Sequence, residues 1–358
     1  MRQNLGMSNY LLILVLLTFQ MTVGQDEEQP NIILIIADGM GLTHITSGMY
    51  AQKNTTVLEE FEFVGLAKTH SLDRLVTDSA ASGTAMASGV KTGNGVIGID
   101  GKNSFKQSIL EISKERGYKA ALVVTSSIVH STPASFYANV NSRNSYETIA
   151  LQLSEHDVDF FVGGGKKHFT NRKDKRNLIE EMSSYTFVKN LIEFEATEAE
   201  KIGFFTYDDE PPSLLEGRKP ALNKIVSLSL QKLENQGAPF FMLIEGSQID
   251  WGGHDNDLNY ILSEFKEFDK TLREVIDYAK EDGNTLVIVT ADHETGGLSL
   301  VGGNYKKGRV NGKFNTGGHT ATMVPVFSFG TASEKFNGIY ENTAIFDKML
   351  QVLNETSN

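Results

Sequence analysis

Side chains able to hold a divalent cation recur in this 358-residue chain just after runs of apolar residues. Asn31-Ile32-Ile33-Leu34-Ile35-Ile36-Ala37 leads into Asp38, Pro239 to Ile244 leads into Glu245, and Thr285 to Thr290 leads into Asp292-His293. His130 and Thr132 follow shortly after a fourth run, Ala120 to Thr125. Asp250 and His254 come soon after Glu245, and His319 sits in the glycine-rich stretch Gly317-Gly318-His319-Thr320. Carboxylate oxygens and imidazole nitrogens are what zinc and magnesium use where thiolates are absent, and the chain has no cysteine. Any one of these residues alone reads as an ordinary polar side chain at a strand end. Four runs that all lead into ligand-type side chains make coincidence hard to hold.

A nucleophile and an anion grip can be read in the same way. Thr77-Asp78-Ser79-Ala80-Ala81-Ser82-Gly83-Thr84-Ala85 follows a strand expected near Leu72 to Val76 and opens a run of small residues suited to a tightly packed helix. Ser79 would stand at the helix N-terminus, where free N–H groups and the macrodipole favour an anion. A serine hydroxyl is a poor nucleophile until a base or a metal lowers its pKa. No histidine adjoins Ser79 in sequence, so coordination to a metal is the economical activator; an N-cap serine without chemistry is the alternative. Arg143 has a planar fork that can hold two phosphate oxygens and stays charged at any working pH. On its own it suits equally a surface arginine at the start of the helix that includes Ile149 and Leu151.

The elements that must position these groups follow from the pattern of apolar residues. Apolar runs without alternation indicate strands buried on both faces, as in a parallel sheet. Between them lie helical patterns. Ile109 and Ile112 precede the stop Gly117, and Ile261, Leu262, Phe265, Phe268, Leu272, Val275, Ile276 and Ala279 recur at helical spacing before Gly283. Ile345, Phe346, Met349, Leu350 and Leu353 mark a last amphipathic helix. The fold class expected is α/β, a single large domain with a central mostly parallel β-sheet flanked by helices on both faces. In such sheets ligands bind beyond the carboxyl ends of the strands, where the candidate residues fall.

Composition sets outer limits. Hydrophobic residues are 40% and charged residues 22%, which fits a globular chain with a sizeable core. The absence of cysteine excludes disulfide frameworks, thiolate zinc sites and cysteine nucleophiles. Lys+Arg 33 against Asp+Glu 45 gives −12, which argues against nonspecific binding to nucleic acid or anionic membranes. Residues 1–24, with Arg2 near the start, an apolar stretch from Tyr10 to Phe19 and Gly24 at the end, have the pattern of a secretory signal peptide. An uncleaved anchor is the alternative, although the stretch is about half the ~20 residues of a spanning helix. Cleavage would leave residues 25–358 as an exported domain with no membrane anchor.

Taken together the motifs resemble the alkaline phosphatase family. The matching elements are Asp38-Gly39-Met40-Gly41, Asp78-Ser79-Ala80-Ala81-Ser82, His130-Ser131-Thr132-Pro133 with Arg143, Glu245-Gly246-Ser247-Gln248-Ile249-Asp250 with His254, Thr290-Ala291-Asp292-His293-Glu294, and Gly318-His319-Thr320. They stand in family order and span residues 31 to about 330. The resemblance implies that 25–358 is the catalytic domain of a periplasmic or secreted phosphomonoesterase with two zinc ions and one magnesium, a covalent phosphoserine on Ser79, phosphate monoesters as substrates and usually a homodimeric state. Carried over by position, Asp250, His254 and His319 would hold one zinc, and Asp38, Asp292 and His293, with Ser79 as exchangeable ligand, the other. Asp38, Thr132 and Glu245 would hold magnesium, and Arg143 would bind the phosphoryl group.

Two positions depart from the best-known bacterial pattern, which has Asp and Lys where this chain has His130 and Trp251. The pair resembles a branch of shorter enzymes, several of them cold-adapted. An imidazole at position 130 makes zinc in the third site an alternative to magnesium. Trp251 supplies no cation for a bound phosphate; it is expected at the substrate site, packed against His130 or covering apolar surface. Gly is 33 and Pro 7 of 358 residues, against usual shares of ~7% and ~5%, which leaves loops freer and implies modest heat stability. A sulfatase would need a C/S-x-P-x-R context, and Ala81 stands where that proline belongs. A related phosphodiesterase and a noncatalytic metal-binding protein compete with the phosphomonoesterase reading. The basic cluster Lys166 to Arg176 lacks P-loop spacing and reads as a solvated loop.

Overall fold

The computed structural model describes residues 29–355; the segment 1–24, read above as a signal peptide, lies outside them. Fourteen strands follow one another along the described chain. Eight come first: β1 (Asn31–Ala37), β2 (Phe63–Lys68), β3 (Lys119–Ser127), β4 (Phe160–Gly164), β5 (Thr186–Val188), β6 (Ile202–Phe205), β7 (Phe240–Gly246) and β8 (Thr285–Thr290). Two short pairs follow, β9 (Glu294–Thr295) with β12 (His319–Thr320) and β10 (Ser299–Asn304) with β11 (Arg309–Lys313). β13 (Val324–Gly330) and β14 (Gly338–Glu341) return to the main sheet.

That sheet has ten strands in the order β14-β2-β13-β8-β1-β7-β3-β4-β6-β5. All neighbours are parallel except β13, which runs antiparallel to both β2 and β8. The four apolar runs are thus adjacent strands, β8-β1-β7-β3, at the middle of the sheet. Every residue of β7 and β8 is buried, and Ile32 to Ile36 of β1 have no exposed surface. Burying each of those side chains contributes on the order of 1.5–3 kcal/mol relative to exposure. A strand with no polar face needs cover on both sides, and the helices supply it.

The longest helix, Leu258–Asp282, begins where the Asp257 side chain accepts the N–H groups of Asn259 and Tyr260, and it ends at Gly283 in the left-handed conformation. Its buried stripe includes Ile261, Phe265, Phe268, Leu272, Val275, Ile276 and Ala279. Leu262 lies to one side, half-buried. The helices Ile109–Glu115 and Thr343–Glu355 fall where the spacing placed them.

The segment Leu72 to Val76 is not a strand. Ser71 and Asp73 turn the chain instead: the Ser71 hydroxyl donates to Asp73 and the Ser71 N–H to the Arg74 carbonyl, both at 3.0 Å. Leu72 and Leu75 are left 56% and 74% exposed. The Arg74 N–H donates to the Ser71 hydroxyl at 3.2 Å, and such local bonds between side chain and backbone have won over a ladder. The basic segment from Lys166 is also partly ordered, since Arg172 folds inward onto Asp174 and the carbonyl oxygens of Glu147 and His168.

Candidate metal centre

The candidate residues converge at the carboxyl ends of the four central strands. Asp38 follows β1, and its N–H donates to the Gly246 carbonyl at the end of β7. Gly39 then turns with φ +75°, and a Cβ there would lie 2.6 Å from Cα of Asp250; only glycine lets the β1 loop pass so close. The helix Gln248–His254 places Asp250 and His254 four residues apart on one face. Past β8, the chain delivers Asp292 and His293 and enters β9, whose antiparallel pairing sets His319 opposite Thr295. His319 thus reaches Asp250 and His254, 69 and 65 positions before it, through two-residue strands.

Three groups of ligand atoms result, each with its atoms within 4.8 Å of one another: Asp250, His254 and His319; Asp38, Asp292 and His293; and Asp38, His130 and Glu245. In the first, His254 Nε2 is 3.3 Å from Asp250 and 3.1 Å from His319 Nε2. In the second, His293 Nε2 is 3.0 Å from Asp292 and 3.6 Å from Asp38. Asp38 belongs to two groups, as a carboxylate with two oxygens can. Thr132, fully buried in the short helix Ser131–Ala134, adjoins the third.

Several of these atoms have no protein partner. Both oxygens of Asp38, Oε1 of Glu245, Oγ1 of Thr132 and Nδ1 of His130 are buried without a hydrogen bond. Such atoms cost on the order of 1–3 kcal/mol each, more when charged, unless something satisfies them. Burial, then the neighbouring Asp292, Asp250 and Glu245, raise the Asp38 carboxyl far above its usual range. Burial pushes Glu245 up to about 8. The cluster demands positive charge, and His254 and His293 register it, whereas burial and then His293 hold His319 down at about 4. A hydrogen bond with Asp250 lifts His254 to about 9, and burial pulls His293 down but Asp292 outweighs it. Orphaned buried oxygens beside imidazoles fit divalent cations: the first two groups offer the mix of imidazole nitrogen and carboxylate oxygen that zinc takes, and the third, oxygen-rich through Asp38, Glu245 and Thr132 but with His130 in it, suits magnesium or zinc.

The outer nitrogens of the histidines are already engaged. Nδ1 of His254 donates to the Gly317 carbonyl at 2.7 Å, and Nδ1 of His319 donates to the Thr77 carbonyl at 2.9 Å. A carbonyl only accepts, so each Nδ1 carries a proton and Nε2 is the ring nitrogen that faces the site. For His293 the partner is Thr295. Its hydroxyl donates to Asp250, which leaves its oxygen to accept from His293 Nδ1 at 3.2 Å.

Ser79 is the first residue of the helix Ser79–Ser88. The N-cap is Asp78, whose side chain accepts the Ala81 N–H at 3.0 Å, so the Ser79 hydroxyl is not spent on capping. It lies 3.3 Å from His293 Nε2 and is 2% exposed. All ten residues of this helix are buried, and a Cβ at Gly83 would lie 2.6 Å from the Ser135 hydroxyl, so the small residues allow it to sit against the helix that carries Thr132. Arg143 donates to Asp78 at 3.1 Å and approaches His130 Nε2 at 3.4 Å. Burial and then Arg143 hold His130 down at about 4, neutral at neutral pH. The Trp251 ring meets that of His130 edge-on, with centroids 6.4 Å apart.

A family model for alkaline phosphatase matches residues 29–315. The chain belongs to the alkaline phosphatase family. It is 38% identical over 296 residues to alkaline phosphatase 3 of Bacillus subtilis, an alignment covering 77% of this chain and 63% of that protein. With alkaline phosphatase 4 of the same organism the identity is 37%, covering 75% and 62%. The chain therefore spans less than two thirds of the length of these two relatives. Among solved structures, alkaline phosphatase from the Antarctic bacterium TAB5 superposes with a TM-score of 0.86 at 41% identity, covering 91% of this chain and 98% of that one. A cold-active alkaline phosphatase from a psychrophilic Shewanella gives 0.82 at 28% identity, covering 90% and 99%.

Three contributors to the centre of this alkaline phosphatase family member went unassigned in the sequence. Thr295 links two ligand groups, Asp78 holds both the helix start and Arg143, and Ser126 donates to Glu245 at 3.1 Å. Asp78 carried a signal, a capping residue at the head of a helix. Thr295 and Ser126 are common residues whose partners lie 45 and 119 positions away.

Proposed function

We propose that this family member is a metal-dependent phosphomonoesterase that cleaves phosphate monoesters through a phosphoserine on Ser79. The observation that carries the reading is the placement of a buried, uncommitted serine hydroxyl 3.3 Å from a ligand-type imidazole, with Arg143 close by on Asp78, the residue just before it. One zinc would be held by Asp250, His254 and His319, a second by Asp38, Asp292 and His293. Asp38, Glu245 and Thr132, with His130 beside them, would hold magnesium. A histidine-to-glutamate mutant of the TAB5 enzyme with Mg bound in its M3 site supports a magnesium-taking third site in relatives, and His130 keeps zinc open there.

Bound in these groups, the ions would supply Lewis acidity, lowering the pKa of hydroxyl groups and offsetting charge that develops on phosphoryl oxygens. The chain's own residues do the rest. Arg143 offers paired donors to the equatorial oxygens and holds them in one orientation. Ser79 Oγ forms the new bond to phosphorus as the bond to the alcohol oxygen breaks, and water later releases phosphate and restores the hydroxyl. Asp78 steers Arg143 and, by capping the helix, aims Ser79. Export to the periplasm or beyond, and a homodimer, belong to the same reading.

The test is hydrolysis of a generic phosphate monoester, with a diester as comparison, before and after chelation and with zinc and magnesium added back. Turnover of the monoester that chelation abolishes and the ions restore is expected. No turnover, or turnover indifferent to chelation, contradicts the proposal.

A further inference from the structure

We propose that Asn342, which lies outside every motif and beyond the matched segment, is a positioning residue for Asp292 and His293, acting through Ser82; this rests on the phosphatase reading for what the pair serves. Ser82 stands one turn after Ser79 on the same helix, and its hydroxyl donates to the backbone carbonyl of Asp292 at 2.7 Å. With its one hydrogen spent there, Ser82 Oγ can only accept, and Nδ2 of Asn342 donates to it at 3.1 Å. Oδ1 of Asn342 in turn accepts from Lys91 Nζ at 2.7 Å. An ammonium only donates, so this partner fixes which way the Asn342 amide faces. Lys91 is anchored by the His70 carbonyl and lies 3.3 Å from Glu341.

The relay is sealed from solvent at its inner end: Ser82 and Asp292 are fully buried and Asn342 is 2% exposed. Its backbone is fixed as well. The Asn342 N–H donates to the Lys68 carbonyl at the end of β2, and its carbonyl accepts from Ile345 in the last helix. Every side-chain bond points the same way, from the ammonium to the Asp292 carbonyl, so each polarises the next. That carbonyl lies between the Cα atoms of Asp292 and His293, so holding it holds the base of both side chains. Because Ser82 and Ser79 share a helix, the same bond sets the spacing of the Ser79 hydroxyl from His293.

The decisive variants are Asn342→Asp and Ser82→Ala in the full zinc-loaded chain. Aspartate keeps the shape and the bond to Lys91 but turns an acceptor toward Ser82, which draws the hydroxyl away from the Asp292 carbonyl. Alanine removes the pivot. Tyr340→Phe, which deletes the bond from that hydroxyl to the Phe336 carbonyl, is the control for loss of C-terminal anchoring alone. The readouts are zinc retention against a chelator, kcat and KM on a phosphate monoester, and melting temperature. Asn342→Asp and Ser82→Ala are expected to lose zinc roughly tenfold faster or more, with kcat reduced and KM little changed, while Tyr340→Phe keeps the parent retention. Lower melting temperatures with zinc held as long as in the parent would overturn the inference. A parent chain that takes up no zinc would instead sink the reading of the centre itself.

Discussion

The hydroxyl of Ser79 lies 3.3 Å from Nε2 of His293, although 214 positions separate the two residues. Two different parts of the fold make this distance: a helix start capped by Asp78 and the end of β8 at the middle of the sheet. In the proposed function the pair is a nucleophile beside a metal ligand.

Ser79→Ala should therefore abolish the covalent route. Activity on a phosphate monoester is expected to fall by on the order of 10³-fold or more, with zinc content and melting temperature close to the parent. Turnover left unchanged would remove Ser79 from the mechanism.

Thr295 is the joint between two ligand groups, and Thr295→Val tests it. Valine has nearly the same shape but leaves Asp250 and His293 Nδ1 each short of a partner inside the protein, at roughly 1–3 kcal/mol. Zinc affinity should drop about 10–100-fold, and Thr295→Ser should recover most of it. Equal zinc affinity in the valine variant would show that the joint is dispensable.

His44, which belongs to none of the ligand groups but feels the charge of Asp250 and has Glu294 3.9 Å from its Nδ1, gives a pH test. It is fully buried, its Nδ1 accepts the Gly41 N–H at 3.2 Å, and burial brings it down to about 4 from the usual 6.5. Between those two values the unfolded chain binds the extra proton and the native chain does not, so stability falls as the pH falls from 6.5 to 4. The loss attributable to His44 amounts to about 3 kcal/mol by pH 4. His44→Asn keeps an acceptor for Gly41 but cannot titrate. Denaturant midpoints of parent and variant should diverge as the pH drops through this window, and parallel curves would contradict the assignment.

Trp251, edge-on to His130, occupies the position where the best-known bacterial pattern has Lys, and the proposed phosphate site makes it a test of charge there. Trp251→Lys is expected to tighten inhibition by inorganic phosphate, by up to about tenfold for ~1.4 kcal/mol of added attraction. Inhibition no tighter than in the parent would place Trp251 outside the phosphate's reach and leave it as packing for His130.

Much of this centre was legible before the fold because parallel strands announce themselves. Their two buried faces give runs such as Ile32 to Ile36, and the residues that follow must gather at one edge of the sheet. Asp38, Glu245, Asp292 and His293 could be read off that rule alone. Thr295 could not, because its meaning depends on the helix that carries Asp250 packing against β9. Asn342 was hidden for the same reason, since nothing in the sequence places it next to Ser82. Leu72 to Val76 misled because its apolar residues suggested a strand, whereas the turn made by Ser71 and Asp73 exposes them. β13 enters the sheet antiparallel, which apolar patterning does not encode.

Zinc content measured against activity addresses the whole account most directly. Purified enzyme at full activity should carry about two zinc ions per chain, and stepwise removal should lower turnover in proportion until added zinc restores it. Fully competent enzyme with scarcely any bound zinc would contradict it.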